Sequence, residues 1–218
     1  PADLAELYVA LTPQERQDLL IAIRGKVDAE AFTYLDADLK EGVLEFLGSK
    51  GAAEAITQLD ADDAVEVIAS LDEDEQKAIL EQMPENFRLN LEEQLSYPEK
   101  SAGRLMTKKV VAIPQFWTVG DTIDFLRREE ALPEDFYEIF VMDPKFKPVG
   151  GIVLSRLIVN QRSTMVSEVM QTELKFIPTD MDQEEVANIF RKYGLVSAPV
   201  VNSGGRLVGV ITVDDIVH

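Results

Sequence analysis

Residues 3–95 carry an apolar residue at every twelfth position. Most of these positions are followed by a residue suited to start or end a helix, since Asp, Ser and Thr can accept hydrogen bonds from the amides of a first turn. Between them the apolar spacing is helical, as in DADDAVEVIASL (60–71). The pattern predicts about seven or eight helices, each too short to be stable alone, which must stack as a small solenoid. The repeated positions are Leu11, Ile23, Leu35, Leu47, Leu59, Leu71, Met83 and Leu95.

The second half of the chain consists of two similar segments. The matching pairs are Met106 and Met170, Ile113 and Ile177, Pro114 and Pro178, Arg127 and Arg191, Val141 and Val200, Val149 and Val208, Gly150 and Gly209, and Ile152 and Ile211. Each segment predicts a Met-ending turn, a strand, a helix, two apolar strands and a last helix. The predicted strands are 110–113, 139–142, 149–153, 174–177, 199–201 and 207–213, and the predicted helices between them are 119–128 and 183–192.

The stretch Tyr97–Gly103 (YPEKSAG) has the Pro and Gly residues of a domain junction. We therefore predict an acidic all-helical domain at 1–96, a first α/β repeat at 97–160 and a second at 161–218, whose last helix is cut off at its end. The predicted fold class is α followed by α/β, with a solenoid-like helical superhelix and then a tandem β-α-β-β-α pair.

The charge of the chain is unevenly distributed. The net charge is 21 − 40 = −19, of which residues 1–100 contribute 8 − 24 = −16 and residues 101–218 contribute 13 − 16 = −3. Such a field repels phosphate, so nucleic acid and anionic membrane surfaces are poor partners. A multivalent cation is the natural counterpart, and a plain solvated acidic surface is the alternative.

The residue types present exclude much catalytic chemistry. The chain has no Cys, and its only His is His218, so thiol nucleophiles, Cys-based zinc sites and His relays are not expected. No nucleophile–base pair, Walker-type loop or Rossmann fingerprint is present, and an enzyme is the poorest fit. No apolar run approaches the roughly 18 residues that cross a bilayer, so we expect the chain itself to be soluble.

Several motifs carry a resemblance to known families. LMT (105–107), EVM (168–170) and GVITVDD (209–215) in the two repeats resemble CBS domains. An acidic helical domain followed by SAGRLMT (101–107), TDMDQEEVANIF (179–190) and GRLVGVITVDDI (205–216) resembles the cytosolic portion of the MgtE magnesium transporter family.

This resemblance implies a regulatory function. In that family Mg²⁺ bound between the helical domain and the CBS pair stabilises a closed state of a transmembrane pore. It implies a homodimer formed through the CBS domains, a pore domain beyond His218, and a position on the cytoplasmic side of the cell membrane. Two alternatives remain: a CBS module that senses adenine nucleotides such as ATP, and a dimerisation scaffold that senses nothing.

The resemblance also implies which residues contact the metal. They are Glu30, Asp62, Glu66, Asp182, Glu184 and Asp215, with backbone carbonyls near Arg104 and Arg191. Asp62 and Glu66 lie four residues apart on one predicted helical face, where their repulsion favours a cation between them. Each carboxylate has a simpler interpretation as a helix cap or a solvated surface group.

Thr212 and Asp215 form a Thr-x-x-Asp motif. In many CBS domains the acidic residue of this motif binds the ribose of an adenine nucleotide. The resemblance therefore implies a second possible ligand at the second repeat.

Overall fold

The computed structural model describes residues 2–22, 29–133 and 136–217. The chain forms two compact units, the helical unit (Pro1–Ser96) and the α/β unit (Tyr97–His218). Ile23 of the twelve-residue pattern and the terminal His218 lie outside the described residues.

Short helices build the helical unit, as the twelve-residue period predicts. They are α1 (Ala2–Ala10), α2 (Pro13–Ala22), a 3₁₀ helix (Ala29–Tyr34), α3 (Ala37–Ile56), α4 (Ala61–Ala69), α5 (Glu73–Leu80) and α6 (Glu85–Leu95). Asp36 and Asp72 cap α3 and α5 by accepting hydrogen bonds from Leu39 N and Glu75 N. The longest, α3, is two helices joined at Gly48, whose φ of 67° interrupts the helical backbone.

Six of the eight repeated apolar positions belong to one core, at or near the ends of the helices. Leu35, Leu59, Leu71 and Met83 are all buried, as are Ile56, Ile68 and Leu91 from the helix interiors. Packing joins helices that are not consecutive, since α3 contacts α5 and α4 contacts α6. Each helix thus buries its apolar face on neighbours along the stack, which stabilises helices too short to persist alone.

The α/β unit contains two three-stranded sheets, ordered β1-β2-β3 and β4-β5-β6. The strands are β1 (Ala112–Pro114), β2 (Glu138–Met142), β3 (Pro148–Val153), β4 (Ile177–Pro178), β5 (Ser197–Val201) and β6 (Leu207–Thr212). In each sheet the first pair is parallel and the second antiparallel. The first strand of each sheet is shorter than predicted; at β1, Val110 N–H instead donates to Lys108 O and closes a turn.

Helices connect and cover these strands. They are α7 (Ala102–Leu105), α8 (Val119–Arg128), α9 (Leu154–Val159), α10 (Val166–Val169), α11 (Gln183–Tyr193) and α12 (Asp214–Val217). The bounds of α8 agree with the prediction, and α11 is longer by one residue. Ala102 and Gly103, which the sequence assigned to the junction, are buried in α7, so the exposed junction ends before them.

The short helical segment that precedes each repeat packs on the sheet of the other repeat. The α7 segment joins the second sheet, where Thr107 N–H donates to Val210 O at 2.9 Å and Met106 is fully buried. The α10 segment joins the first sheet, where Gln171 N–H donates to Gly151 O at 2.8 Å. The division of the repeats at 160/161 therefore follows the sequence repeat, whereas the packing exchanges one segment between them.

Candidate functional site

The candidate carboxylates of the helical unit lie on or near α4. Asp62 is half-buried in the first turn of α4, Glu66 is exposed one turn later, and Glu30 is exposed on the 3₁₀ helix. Lys40 on α3 donates from Nζ to Glu66 Oε1 at 2.9 Å. A cation does therefore stand beside Glu66, and it is an ammonium group of the protein.

Sequence reasoning missed Lys40, although a signal was present. Lys40 lies three and four residues before Val43 and Leu44, which are both buried, so it occupies a core position of α3. Its side chain is 8% exposed, compared with 67% for Glu66. A lysine at a core position needs an anionic partner, and a carboxylate on a neighbouring helix is the expected one.

Asp182, Glu184 and the segment before Arg104, three of the candidates of the α/β unit, lie where α11 begins. Asp182 is the N-cap of α11, and its Oδ1 accepts a hydrogen bond from Glu184 N–H at 2.8 Å. Both side chains are exposed. The segment before Arg104 lies alongside, because Ala102 N–H donates to Met181 O and Gly103 N–H donates to Thr179 O, both at 2.8 Å. The structure thus brings together two sequence motifs that are about 80 residues apart.

Thr212 and Asp215 are in contact at the start of α12. Asp215 Oδ2 accepts hydrogen bonds from Thr212 N at 2.6 Å and from Thr212 Oγ1 at 2.9 Å. The motif therefore holds a half-buried carboxylate in a fixed position at the end of β6. Arg191, the remaining candidate, is exposed in the last turn of α11.

The donor set fits Mg²⁺ in chemistry, with carboxylate and carbonyl oxygens only. Within residues 2–22, 29–133 and 136–217, no group of three or more Asp, Glu, His or Cys side chains converges as a metal cage. Mg²⁺ commonly takes one or two carboxylates and keeps several waters, so a cage is not required. Whether the predicted residues contact a metal stays a prediction.

A further titratable group lies between the two repeats. Glu138 and Ser197 begin the equivalent strands β2 and β5, and Ser197 Oγ donates to Glu138 Oε2 at 3.0 Å. Burial raises the pKa of Glu138, and the hydrogen bond from Ser197 lowers it in part. Ionisation of Glu138 therefore lowers the free energy of unfolding.

We expect Glu138→Gln to stabilise the protein at neutral pH, because glutamine can still accept from Ser197 without burying a charge. The folded state binds the Glu138 proton more tightly than the unfolded chain does, so the cost is complete above the raised pKa and vanishes below the ordinary value of 4.5. Thermal unfolding midpoints of both proteins, compared above and below that pH, measure the effect. If Glu138→Gln raised the unfolding midpoint equally at both pH values, the charge of Glu138 would not affect stability.

The chain has a helical unit followed by two β-α-β-β-α repeats, each of which packs a preceding segment on the sheet of the other. This architecture defines a protein with a tandem CBS pair, a class of regulatory modules. Among the helices of the described residues, none combines the length and apolar character needed to cross a bilayer. The model of the MgtE intracellular N domain matches residues 1–100, and the CBS domain model matches residues 166–218.

Relatives and solved structures agree with these matches. The magnesium transporter MgtE of Thermus thermophilus is 41% identical over 129 residues, covering 59% of this chain and 29% of the relative. MgtE of Bacillus subtilis is 29% identical over 217 residues, covering all of this chain and 48% of the relative. The crystal structure of the cytosolic domain of the Mg²⁺ channel MgtE in complex with ATP has a TM-score of 0.81 and 30% identity, covering 98% of this chain and 92% of that one.

The chain belongs to the MgtE magnesium transporter family. A structure of the soluble part of a magnesium transporter gives a similar result, with a TM-score of 0.80 and 26% identity over 99% of this chain and 90% of that one. The predicted fold class is confirmed. The chain spans about half the length, or less, of the curated relatives that it matches.

Proposed function

We propose that this chain is the Mg²⁺-sensing regulatory region of a magnesium channel or transporter. Mg²⁺ bound by carboxylates of the helical unit and of the α/β unit stabilises a closed state of the transport pathway. The observation that carries the proposal is the charge of −16 on the first 100 residues of a chain that belongs to a magnesium transporter family.

The physical basis is electrostatic. Two carboxylates about 5 Å apart repel by about 332/(20 × 5), or roughly 3 kcal/mol, at an effective dielectric constant of 20. Acidic surfaces therefore separate unless a cation neutralises them. A cation that binds one arrangement better than another shifts the population by its differential affinity, so the sensor requires no catalytic group.

The proposed ligands are those that the resemblance implies. In the α/β unit they are Asp182 and Glu184, both exposed at the start of α11, with Asp215. In the helical unit they are Asp62 and Glu30; the resemblance implies Glu66 as well, but its carboxylate forms an ion pair with Lys40. Backbone carbonyls near Arg104 and Arg191 complete the proposed set.

The proposal includes the assembly that the family implies. Two copies pair through their CBS domains on the cytoplasmic side of the membrane, and a transmembrane pore domain of the same polypeptide follows His218. The MgtE proteins of Thermus thermophilus and Bacillus subtilis are about twice as long as this chain, which leaves room for such a domain.

Millimolar Mg²⁺ is expected to compact the protein, because neutralised acidic surfaces no longer repel. We expect a smaller radius of gyration in X-ray scattering and slower proteolysis at the Ser96–Tyr97 boundary. The variant Asp62→Asn/Asp182→Asn/Glu184→Gln should lose most of both effects. The control is Glu73→Gln/Asp74→Asn, which neutralises two exposed acids in the first turn of α5 and should keep both effects. A radius and cleavage pattern unchanged by Mg²⁺ in the wild type would overturn the proposed Mg²⁺ sensing and leave the nucleotide-sensing module and the scaffold.

A second candidate function is the binding of an adenine nucleotide. It is supported by the fixed Asp215 carboxylate beside Thr212, and by the solved MgtE cytosolic domain that was crystallised with ATP. The same scattering and proteolysis series with ATP and without Mg²⁺ separates the two functions. A response to ATP alone that Asp215→Asn removes would favour nucleotide sensing.

A further inference from the structure

The ion pair between Lys40 and Glu66 is asymmetric in its exposure. The Lys40 side chain is 8% exposed, whereas that of Glu66 is 67% exposed, and 2.9 Å separates Nζ from Oε1. The Lys40 side chain is buried on α3, and the Glu66 carboxylate lies on the surface of α4. The pair therefore places a fixed positive charge directly beneath an exposed acidic side chain.

Lys40 cannot easily release Glu66. A lysine ammonium in a largely buried position has lost most of its water, and its carboxylate partner replaces that hydration. If Glu66 turned away to coordinate a cation in solution, the buried charge would remain unpaired. A divalent cation that approaches Glu66 is in addition repelled by the ammonium charge next to it.

The other lysine–carboxylate pair on α3 lacks this property. Lys50 and Glu54 are 3.9 Å apart, and their side chains are 81% and 69% exposed. Water solvates both groups, so Glu54 can leave Lys50 at little cost. Burial of the ammonium is what distinguishes the Lys40–Glu66 pair.

We propose that Lys40 acts as a resident counter-ion that keeps Glu66 out of divalent-cation coordination and so lowers the Mg²⁺ affinity of the helical unit. The inference rests on the proposed function, in which Mg²⁺ binds the acidic face of α4. It makes Lys40 a positioning residue that sets the Mg²⁺ concentration to which the protein responds.

The test is a double-mutant cycle on Mg²⁺ binding to the 218-residue chain, measured by isothermal titration calorimetry. Lys40→Met removes the charge, keeps an unbranched side chain in the core, and is expected to raise the apparent affinity about fivefold or more. Glu66→Gln should then lower the affinity about fivefold more in the Lys40→Met background than in the wild type, because only there is the carboxylate available.

Two further variants guard against trivial explanations. Lys50→Met, in the part of α3 that follows Gly48, produces the same change of net charge. It is expected to leave the affinity within about twofold, since exposed charges are screened. Glu66→Asp keeps the negative charge on a side chain one methylene shorter, which draws the carboxylate away from Lys40. It is expected to raise the affinity, and it provides the result if Lys40→Met does not fold.

The outcomes separate this inference from the proposed function. If the wild type binds Mg²⁺ and the two substitutions act independently, Lys40 has no gating role and the inference is overturned, while the proposed function stands. If only Lys40→Met or Glu66→Asp binds Mg²⁺, the inference holds and the proposed sensing by the wild type fails. If no variant binds Mg²⁺, both are wrong.

Discussion

Gly209→Ala is expected to destabilise the α/β unit by about 3 kcal/mol through overpacking. A Cβ atom at Gly209 would lie 2.6 Å from Met106 Sδ and 2.8 Å from the backbone oxygen of Thr107. The Thr107 oxygen is held in place, because it accepts the Val210 N–H hydrogen bond at 2.9 Å. Met106 is fully buried and has little room to move. The methyl group must therefore break the contact that attaches the α7 segment to the second sheet.

The repeat supplies a second, equivalent site. At Gly150 a Cβ would lie 2.6 Å from Met170 Sδ and 2.9 Å from Gln171 O, so Gly150→Ala should have a similar effect. The control is Gly204→Ala, where the nearest neighbour is Asn202 Oδ1 at 3.3 Å and the change should stay within about 0.5 kcal/mol. Urea unfolding followed by circular dichroism measures all three. If Gly209→Ala and Gly204→Ala had equal stabilities, the close packing of Met106 on Gly209 would be incorrect.

Glu66→Ala is expected to destabilise the helical unit by about 2–3 kcal/mol, because it leaves the Lys40 ammonium buried without its carboxylate. The substitution does not lower the helix propensity of α4, since alanine is the best helix former. Lys40→Met should cost far less or even stabilise, because an apolar side chain then fills a site among core residues. We therefore expect Glu66→Ala to lower the free energy of unfolding, and Lys40→Met to change it little or raise it.

Glu54→Ala is the matched control for this measurement. Glu54 is also on a helix and also pairs with a lysine, but both partners are exposed, so the expected cost is below about 0.5 kcal/mol. Unfolding is measured without divalent cations, so that only the ion pair is tested. Equal costs for Glu66→Ala and Glu54→Ala would mean that Lys40 is solvated when Glu66 is absent.

Much of this architecture could be predicted from local patterns. The twelve-residue period placed the ends of the helices because an apolar contact and a capping residue recur together, as at Leu35 with Asp36 and at Leu71 with Asp72. The spacing of apolar residues likewise located α8 and α11, whose side chains alternate between core and solvent with the helical period. The family motifs pointed to the candidate carboxylates of both units.

The sequence by itself thus determined the order of elements, the acidity of the helical unit and the family, since all three depend on residues close together in the chain. Only the tertiary structure decided on which sheet each of the two methionines packs. Met106 packs on Gly209, about 100 residues away, and Met170 packs on Gly150, about 20 residues away. It alone paired Lys40 with Glu66 and Ser197 with Glu138. These contacts join distant segments, and their partners are selected by burial and packing, which a local pattern does not encode.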